Sequence, residues 1–344
     1  MLLSCFLLFS LIATPMASPI ASPFATEWVV PLAEPTIARP VLYGDLVVIT
    51  TENGLVIALD SRDGSITWQV ALSEDVADQP VAHDDVLFVP GSLGMLYAIS
   101  LADGDLMNTA TWEADQLRTP LISDGVLAVP NQRGTLALVD PGSLEVREFV
   151  EIGGPIEVPG VVIGDHLVLA TIDGLVTSIN ADDASVAWQS VLSEPASALF
   201  VTSDGGVVVG GMAGTVTLLD PEAGTITWQE TVQAADVLDI SEFNGDLIAT
   251  TSDGMVISLE EGSGRVLQRE VLPGNGWFAS ESCEDVCVIG IEDGTLISLD
   301  PSSLAWTPLG VASGAVSNRL VSDEKSLVTV TAAGDVAYWH LPRE

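Results

Sequence analysis

Basic residues are scarce in this chain of 344 residues. It has 10 lysines and arginines against 48 acidic residues, a formal net charge of −38, and Lys325 is its one lysine. A field of this sign repels phosphate backbones and anionic lipid headgroups, so binding of nucleic acid or of headgroups is disfavoured. Because the acidic residues are spread along the whole chain, they favour a solvated acidic surface over one cation-binding cluster.

Cysteine and histidine are equally few, with three of each. There is no Cys-x-x-Cys-His haem motif, and His83, His166 and His340 lie far apart, so no nucleophile–base arrangement or metal cluster follows from them. Cys283 and Cys287 flank three residues of a predicted hairpin, and in an exported chain they would form a disulfide. The alternative is a pair of free thiols, with Cys287 filling an apolar position.

Long apolar runs are absent after the N-terminus. Residues 2–12 read LLSCFLLFSLI, which is short for a bilayer span, and a stretch of small residues and prolines follows. We predict a signal peptide or N-terminal anchor over residues 1–25 and one domain over 26–344. The protein is therefore expected to be exported, and to be secreted, periplasmic or held at the cell surface.

A glycine recurs at one constant interval along the chain, without insertion or deletion. The eight copies are Gly54, Gly94, Gly134, Gly174, Gly214, Gly254, Gly294 and Gly334. A second regular position, which precedes each glycine, is apolar in every copy, and pairs such as Gly44-Asp45 and Asn244-Gly245 come just before it. Such pairs favour tight hairpins because Gly, Asn and Asp tolerate positive φ.

Each repeat is predicted to contain four short strands and no helix. In the first repeat the strands cover 37–43, 46–50, 55–59 and 65–72, which are rich in β-branched residues and separated by turn-forming residues. A sheet of about 40 residues cannot bury both faces alone, and radial stacking of such sheets solves this. The sequence therefore predicts an all-β, eight-bladed β-propeller of four-stranded antiparallel blades.

Tryptophans in the fourth strand predict how the blades pack and how the ring closes. Trp68, Trp188 and Trp228 share one position of the repeat, and Trp28 lies one repeat length before Trp68, in a fourth strand that has no repeat in front of it. We expect all four to pack blade against blade. Because the last repeat lacks its own fourth strand, the segment around Trp28 is predicted to complete the last blade and close the ring.

The motif around Trp68 resembles that of the pyrroloquinoline quinone (PQQ) repeat family. Ala58, Asp60, Gly64 and Trp68 match its four positions, and a second copy ends at Trp228. The family includes large dehydrogenases that hold PQQ and calcium in the channel, and non-enzymatic propellers of the BamB-like branch. The chain is closer in length to the second group, and it lacks the adjacent cysteine pair of the dehydrogenases.

The resemblance implies a non-enzymatic, monomeric scaffold without cofactor that binds a protein partner, in envelope assembly or sensing. The alternatives are a PQQ- and calcium-dependent quinoprotein dehydrogenase and a cation- or glycan-binding propeller. Register predicts that Arg39, Gln79, Thr119, Asp239 and Arg319 share a level at one channel mouth. Arg39, Trp277 and Arg319 are the predicted partner contacts, and no catalytic, cofactor-binding or metal-binding residue is predicted.

Overall fold

The computed structural model describes residues 26–36, 38–112, 115–279, 287–316, 320–322 and 326–341. Every regular element in these ranges is a β-strand. Accordingly, the described part of the chain contains no helix that could serve as a membrane span.

One strand precedes the first blade in the described residues, and the first four blades follow in order. These strands are β1 (Thr26–Pro31); β2 (Val41–Tyr43), β3 (Leu46–Thr50), β4 (Leu55–Asp60) and β5 (Ile66–Ala71); β6 (Val81–His83), β7 (Val86–Pro90), β8 (Met95–Ser100) and β9 (Leu106–Thr111); β10 (Leu121–Ser123), β11 (Val126–Pro130), β12 (Thr135–Val139) and β13 (Val146–Glu151); and β14 (Val161–Ile163), β15 (His166–Ala170), β16 (Leu175–Asn180) and β17 (Val186–Val191).

The second half of the chain repeats the pattern. Its strands are β18 (Ala196–Val201), β19 (Val207–Gly211), β20 (Thr215–Leu219) and β21 (Ile226–Thr231); β22 (Val237–Phe243), β23 (Asp246–Thr251), β24 (Met255–Glu260) and β25 (Val266–Val271); β26 (Gly276–Phe278), β27 (Cys287–Ile291), β28 (Thr295–Leu299) and β29 (Trp306–Val311); and β30 (Leu320–Ser322), β31 (Ser326–Val330) and β32 (Asp335–His340).

These strands form eight four-stranded antiparallel sheets, which confirms the predicted propeller. In each blade we number the strands from the channel outwards as inner, second, third and outer. The last sheet has the order β1-β32-β31-β30, so the N-terminal strand supplies the outer strand of blade 8. Trp28 pairs with Tyr338 and stacks on its ring at a centroid distance of 5.3 Å. The predicted closure around Trp28 is therefore confirmed.

The core lies between adjacent blades. In β3 and β4, four consecutive residues of each strand are buried, whereas the outer strand β5 is mostly exposed. Second and third strands have a neighbouring blade against each face, which is why they read as continuous apolar runs rather than as an alternating pattern. One cluster joins Val48 and Ala58 of blade 1 to Leu87 and Ile99 of blade 2.

The inner strands are shorter than predicted in the first blades. The sequence predicts a strand over 37–43, whereas β2 covers Val41–Tyr43 and Thr36 makes only an isolated bridge to Thr51. Pro40 explains the difference because it has no N–H to continue the ladder. In blades 5 and 6 the equivalent residues are Phe200 and Ile240, and the inner strands lengthen to Ala196–Val201 and Val237–Phe243.

The four predicted packing tryptophans each reach the following blade. The indole N–H of Trp68 donates to the carbonyl of Leu101 at 2.9 Å, and the ring lies so close to Gly104 that an added Cβ would stand 2.7 Å from it. Trp28, Trp188 and Trp228 make the same contacts with the carbonyls of Ser61, Pro221 and Glu261 and with Gly64, Gly224 and Gly264. Each indole thus ties an outer strand to the turn before the next outer strand.

The glycine that recurs in every repeat lies in the turn between the second and third strands. All eight copies have positive φ, from 77° to 96°. At Gly54 an added Cβ would also meet the carbonyl oxygen of Glu74 at 2.3 Å, because the loop to the next blade passes directly over it. Left-handed backbone and lack of space together explain why no other residue type occurs there.

Candidate binding face at the channel mouth

One face of the ring carries two kinds of loop from every blade. The entry loop leads into the inner strand, and the 2–3 turn joins the second and third strands. In each blade an amide of the 2–3 turn donates to a carbonyl of the entry loop, at 2.8–3.1 Å. We call this side of the ring the entry face. Because these pairs repeat in all eight blades, side chains at matching positions surround the channel at one level.

The channel opens on this face as a cavity of about 560 Å³. Arg39, Gln79, Thr119 and Asp239 line it, so the structure brings together four of the five side chains predicted to share this level. The fifth, Arg319, lies outside the described residues. Deeper in the channel the inner strands supply mostly aliphatic walls, including Val81, Leu121 and Val161.

An ion pair crosses the mouth of the channel. The guanidinium of Arg39 in blade 1 lies 3.2 Å from the carboxylate of Asp239 in blade 6, and the side chains are only 22% and 21% exposed. Asp239 also accepts a hydrogen bond from the backbone N–H of Phe278 in blade 7, at 3.0 Å. Burial raises the pKa of Asp239, and the charge of Arg39 opposes that rise. The pair therefore joins three blades across the ring.

A second, partly buried arginine, which sequence analysis did not identify, joins blades 2, 3 and 4. The guanidinium of Arg118 lies 3.7 Å from the carboxylate of Asp78 and donates a hydrogen bond to the carboxylate of Glu157. Glu157 also accepts a hydrogen bond from the side-chain amide of Gln132 at 3.1 Å. The side chain of Arg118 is 12% exposed. The sequence signal for this cluster was an arginine, a rare residue type in this chain, next to Thr119. Its partners could not be identified from the sequence, because they lie about one repeat away on either side, in other blades.

The acidic entry loops are used for local structure rather than for a shared site. Glu74 accepts hydrogen bonds from the backbone N–H groups of Leu93 at 2.9 Å and Met95 at 3.0 Å, so it caps a 2–3 turn. Glu194 does the same for Thr215 at 3.1 Å. Within the described ranges no group of three or more His, Cys, Asp or Glu side chains is arranged to hold a metal ion.

Two adjacent blades carry a large aliphatic residue at the first tip position of the 2–3 turn. At the tip of the 2–3 turn, blades 4 and 5 carry Ile172 and Met212, which are 36% and 43% exposed. Each is hydrogen-bonded through its amide to a proline of the entry loop, Pro155 and Pro195 respectively. We call these four residues the apolar sector. At the same position the other blades carry Glu52, Ser92, Gln132, Ser252, Glu292 and Ala332. The next residue of the blade 2 turn, Leu93, is also apolar and is 66% exposed.

The remaining predicted site residues have local roles in the structure. Trp277 is half-buried and packs against the cluster between blades 7 and 8, and its role as a partner contact stays a prediction. Cys287 is buried and disulfide-bonded. Cys283 lies outside the described residues, so the predicted pairing of these two cysteines also stays a prediction.

Comparisons with solved structures support the fold. The chain is similar to the computationally designed Ika8 protein (TM-score 0.79, 15% identity, covering 90% of this chain and 97% of that one). It is also similar to BamB from Moraxella catarrhalis (TM-score 0.77, 14% identity, covering 92% of this chain and 100% of that one). A third similar structure is Sqt1 from Saccharomyces cerevisiae (TM-score 0.78, 14% identity, covering 93% of this chain and 98% of that one). At such low identities these similarities show the fold alone. No curated protein sequence matches the chain.

The family comparison covers nearly the whole propeller. Three overlapping stretches, residues 25–155, 92–292 and 149–341, match the family described as outer membrane protein assembly factor BamB. At a coarse level, this fold is that of a protein-interaction scaffold. The chain belongs to the BamB family of PQQ-like β-propellers.

Proposed function

We propose that this protein is a non-enzymatic scaffold of the cell envelope that binds a protein partner through its entry face. The observation that carries the proposal is the apolar sector, two exposed aliphatic side chains on neighbouring blades of a face whose other 2–3 turns, apart from Leu93 in blade 2, carry polar residues or alanine. Exposed apolar residues grouped on a polar surface are typical of protein interaction sites. The mouth beside them is held by ion pairs between blades, which gives the partner a rigid platform.

Location in the envelope is supported by two independent features. The family is described as an outer membrane protein assembly factor, and the apolar run over residues 2–12 carries the predicted export signal. Sequencing the mature N-terminus by mass spectrometry tests export. Loss of residues before about Thr26 supports a cleaved signal peptide, and an intact N-terminus in the cytoplasmic fraction contradicts it.

Site-specific crosslinking tests the scaffold role. A photoreactive amino acid is placed at Met212 on the entry face or, as a control, at Asp45 in the inner–second hairpin of the opposite face, and cells are irradiated intact. The proposal expects one discrete protein adduct from position 212 that is absent from position 45. Equal adducts from both positions, or none from either, would contradict a partner-binding entry face.

The dehydrogenase alternative is tested on the purified protein. Titration with PQQ and calcium is followed by absorbance, together with dye-linked alcohol oxidation. The scaffold proposal expects neither saturable PQQ binding nor oxidation, and tight binding with turnover would overturn it. For a cation-binding propeller, calcium should raise the melting temperature, because a ligand that binds only the folded state stabilises it.

A further inference from the structure

The surroundings of the apolar sector indicate the chemistry of its partner. Asp173 follows Ile172 at the tip of blade 4, and Asp236 lies in the entry loop of blade 6, next to the blade of Met212. Both are exposed, and neither forms an ion pair with a basic side chain in the described part of the chain. The apolar sector therefore lies between two carboxylates that no basic side chain of the described residues neutralises.

The arginines described on this face are paired with other carboxylates. Arg133, at the position of Asp173 in the adjacent blade 3, pairs with Asp115, Arg118 pairs with Asp78 and Glu157, and Arg39 pairs with Asp239. The chain as a whole carries a formal charge of −38. An acidic or neutral apolar partner would meet repulsion or leave these charges unpaired, whereas a basic one would be attracted and correctly oriented.

We propose that the apolar sector binds a basic amphipathic segment of the partner, whose apolar side chains contact Ile172 and Met212 and whose lysines or arginines face Asp173 and Asp236. This inference rests on the proposed scaffold function and specifies its partner. Methionine suits the role because its unbranched, polarizable side chain adapts to different apolar surfaces. The prolines beneath the two tips fix the backbone and so limit the entropy lost on binding.

The test uses three labelled peptides and fluorescence anisotropy with the purified protein. The first is an amphipathic peptide of leucine and lysine, the second replaces its lysines with glutamates, and the third replaces its leucines with serines. The inference expects saturable binding of the first peptide alone, weakening with salt as the Debye length falls below about 10 Å. Equal binding of the first and third peptides would overturn it, because apolar contact would then contribute nothing.

Matched substitutions at the same repeat positions locate the binding. Met212→Asp is expected to weaken binding about 30-fold, the effect of losing a central anchor, whereas Ala332→Asp at the tip of blade 8 leaves it unchanged. Asp173→Lys is expected to weaken binding about three- to tenfold, whereas Asp293→Lys, with the same change of charge in blade 7, has little effect. If the controls weaken binding as much as the sector variants do, the attraction is unspecific and the inference is wrong.

The outcome also separates this inference from the proposed function. If no peptide binds but crosslinking at Met212 still yields its adduct, the entry face binds a partner of different chemistry. If the adduct is also absent, the scaffold function itself fails. Circular dichroism and thermal melting of each variant confirm that the comparison is between folded proteins.

Discussion

Gly104 lies directly against the indole ring of Trp68 from the preceding blade. An added Cβ on this glycine would approach the ring to 2.7 Å. The chain preserves this relationship blade by blade, because every tryptophan at the Trp68 position faces a glycine at the Gly104 position of the following blade. Where the tryptophan is missing, the glycine is missing too: Asn108 precedes Leu144, Glu148 precedes Ala184, and Gln268 precedes Leu304.

The residues that replace glycine keep its backbone conformation and occupy the free space. Leu144, Ala184 and Leu304 have φ of 58°, 60° and 53°. Leu144 and Leu304 are almost completely buried. A leucine at positive φ is uncommon and strained, so its persistence indicates that filling the gap left by the indole outweighs the strain.

This relationship predicts the effect of exchanging the two packing modes. Gly104→Leu is expected to destabilise the fold by about 3 kcal/mol, because the side chain overlaps Trp68 in a well-packed core. Asn108→Trp alone clashes with Leu144, and Leu144→Gly alone leaves a cavity. The double variant is expected to be more stable than the sum of the two single changes by about 1–3 kcal/mol, measured by urea unfolding. Simple additivity would contradict the pairing.

Ring closure depends on Trp28. Its ring stacks on Tyr338, its N–H donates to Ser61 at 2.9 Å, and β1 supplies the outer strand of blade 8. Trp28→Ala is expected to lower the free energy of unfolding by about 3–5 kcal/mol. The exposed Val29→Ala on the same strand is the control and should cost far less. An unchanged urea midpoint for Trp28→Ala would mean that the ring does not need this strand.

The ion pair of Arg39 and Asp239 predicts a pH-dependent stability. Arg39→Met leaves a buried carboxylate without its guanidinium, which costs about 3–5 kcal/mol at neutral pH. Because burial raises the pKa of Asp239 in the folded state, and more so without Arg39, protonation favours folding. The stability that protonation gives is fully present below the unfolded pKa and is lost as pH rises through the folded pKa.

Arg39→Met should therefore be nearly as stable as the parent protein near pH 4 and clearly less stable at pH 7. Thermal melting across this range measures the difference. In the double variant Arg39→Met, Asp239→Leu both charges are absent, so the added pH dependence should vanish and much of the stability should return. A destabilisation of Arg39→Met that is the same at both pH values would contradict the role of Asp239.

The period of the sequence was enough to predict the fold. Second and third strands that are apolar on both faces need a neighbouring sheet on each side. Eight equal sheets all meet this need only when they close into a ring. The register of Trp28 then predicted the closing strand. The length of the inner strands was harder to predict, because it depends on single residues such as Pro40 and Phe200 that allow or prevent further ladder hydrogen bonds.

The candidate site was only partly predictable. Register placed Arg39 and Asp239 at one level but could not show that they touch, since they belong to repeats that are far apart in the chain. The roles of Glu74 and Glu194 as caps depend on backbone amides, which a sequence does not display. The apolar sector was visible in the sequence, because Ile172 and Met212 are the large aliphatic residues at a position otherwise occupied by polar residues or alanine. Their exposure became known only from the structure.

Hydrogen–deuterium exchange with the crosslinked partner, once purified, tests the central claim most directly. With the partner bound, backbone amides over 171–175 and 211–215, the 2–3 turns of blades 4 and 5, are expected to be protected, while the same turns of blades 1 and 7 exchange as in the free protein. Protection confined to the hairpins of the opposite face, or spread equally over all eight blades, would contradict the account.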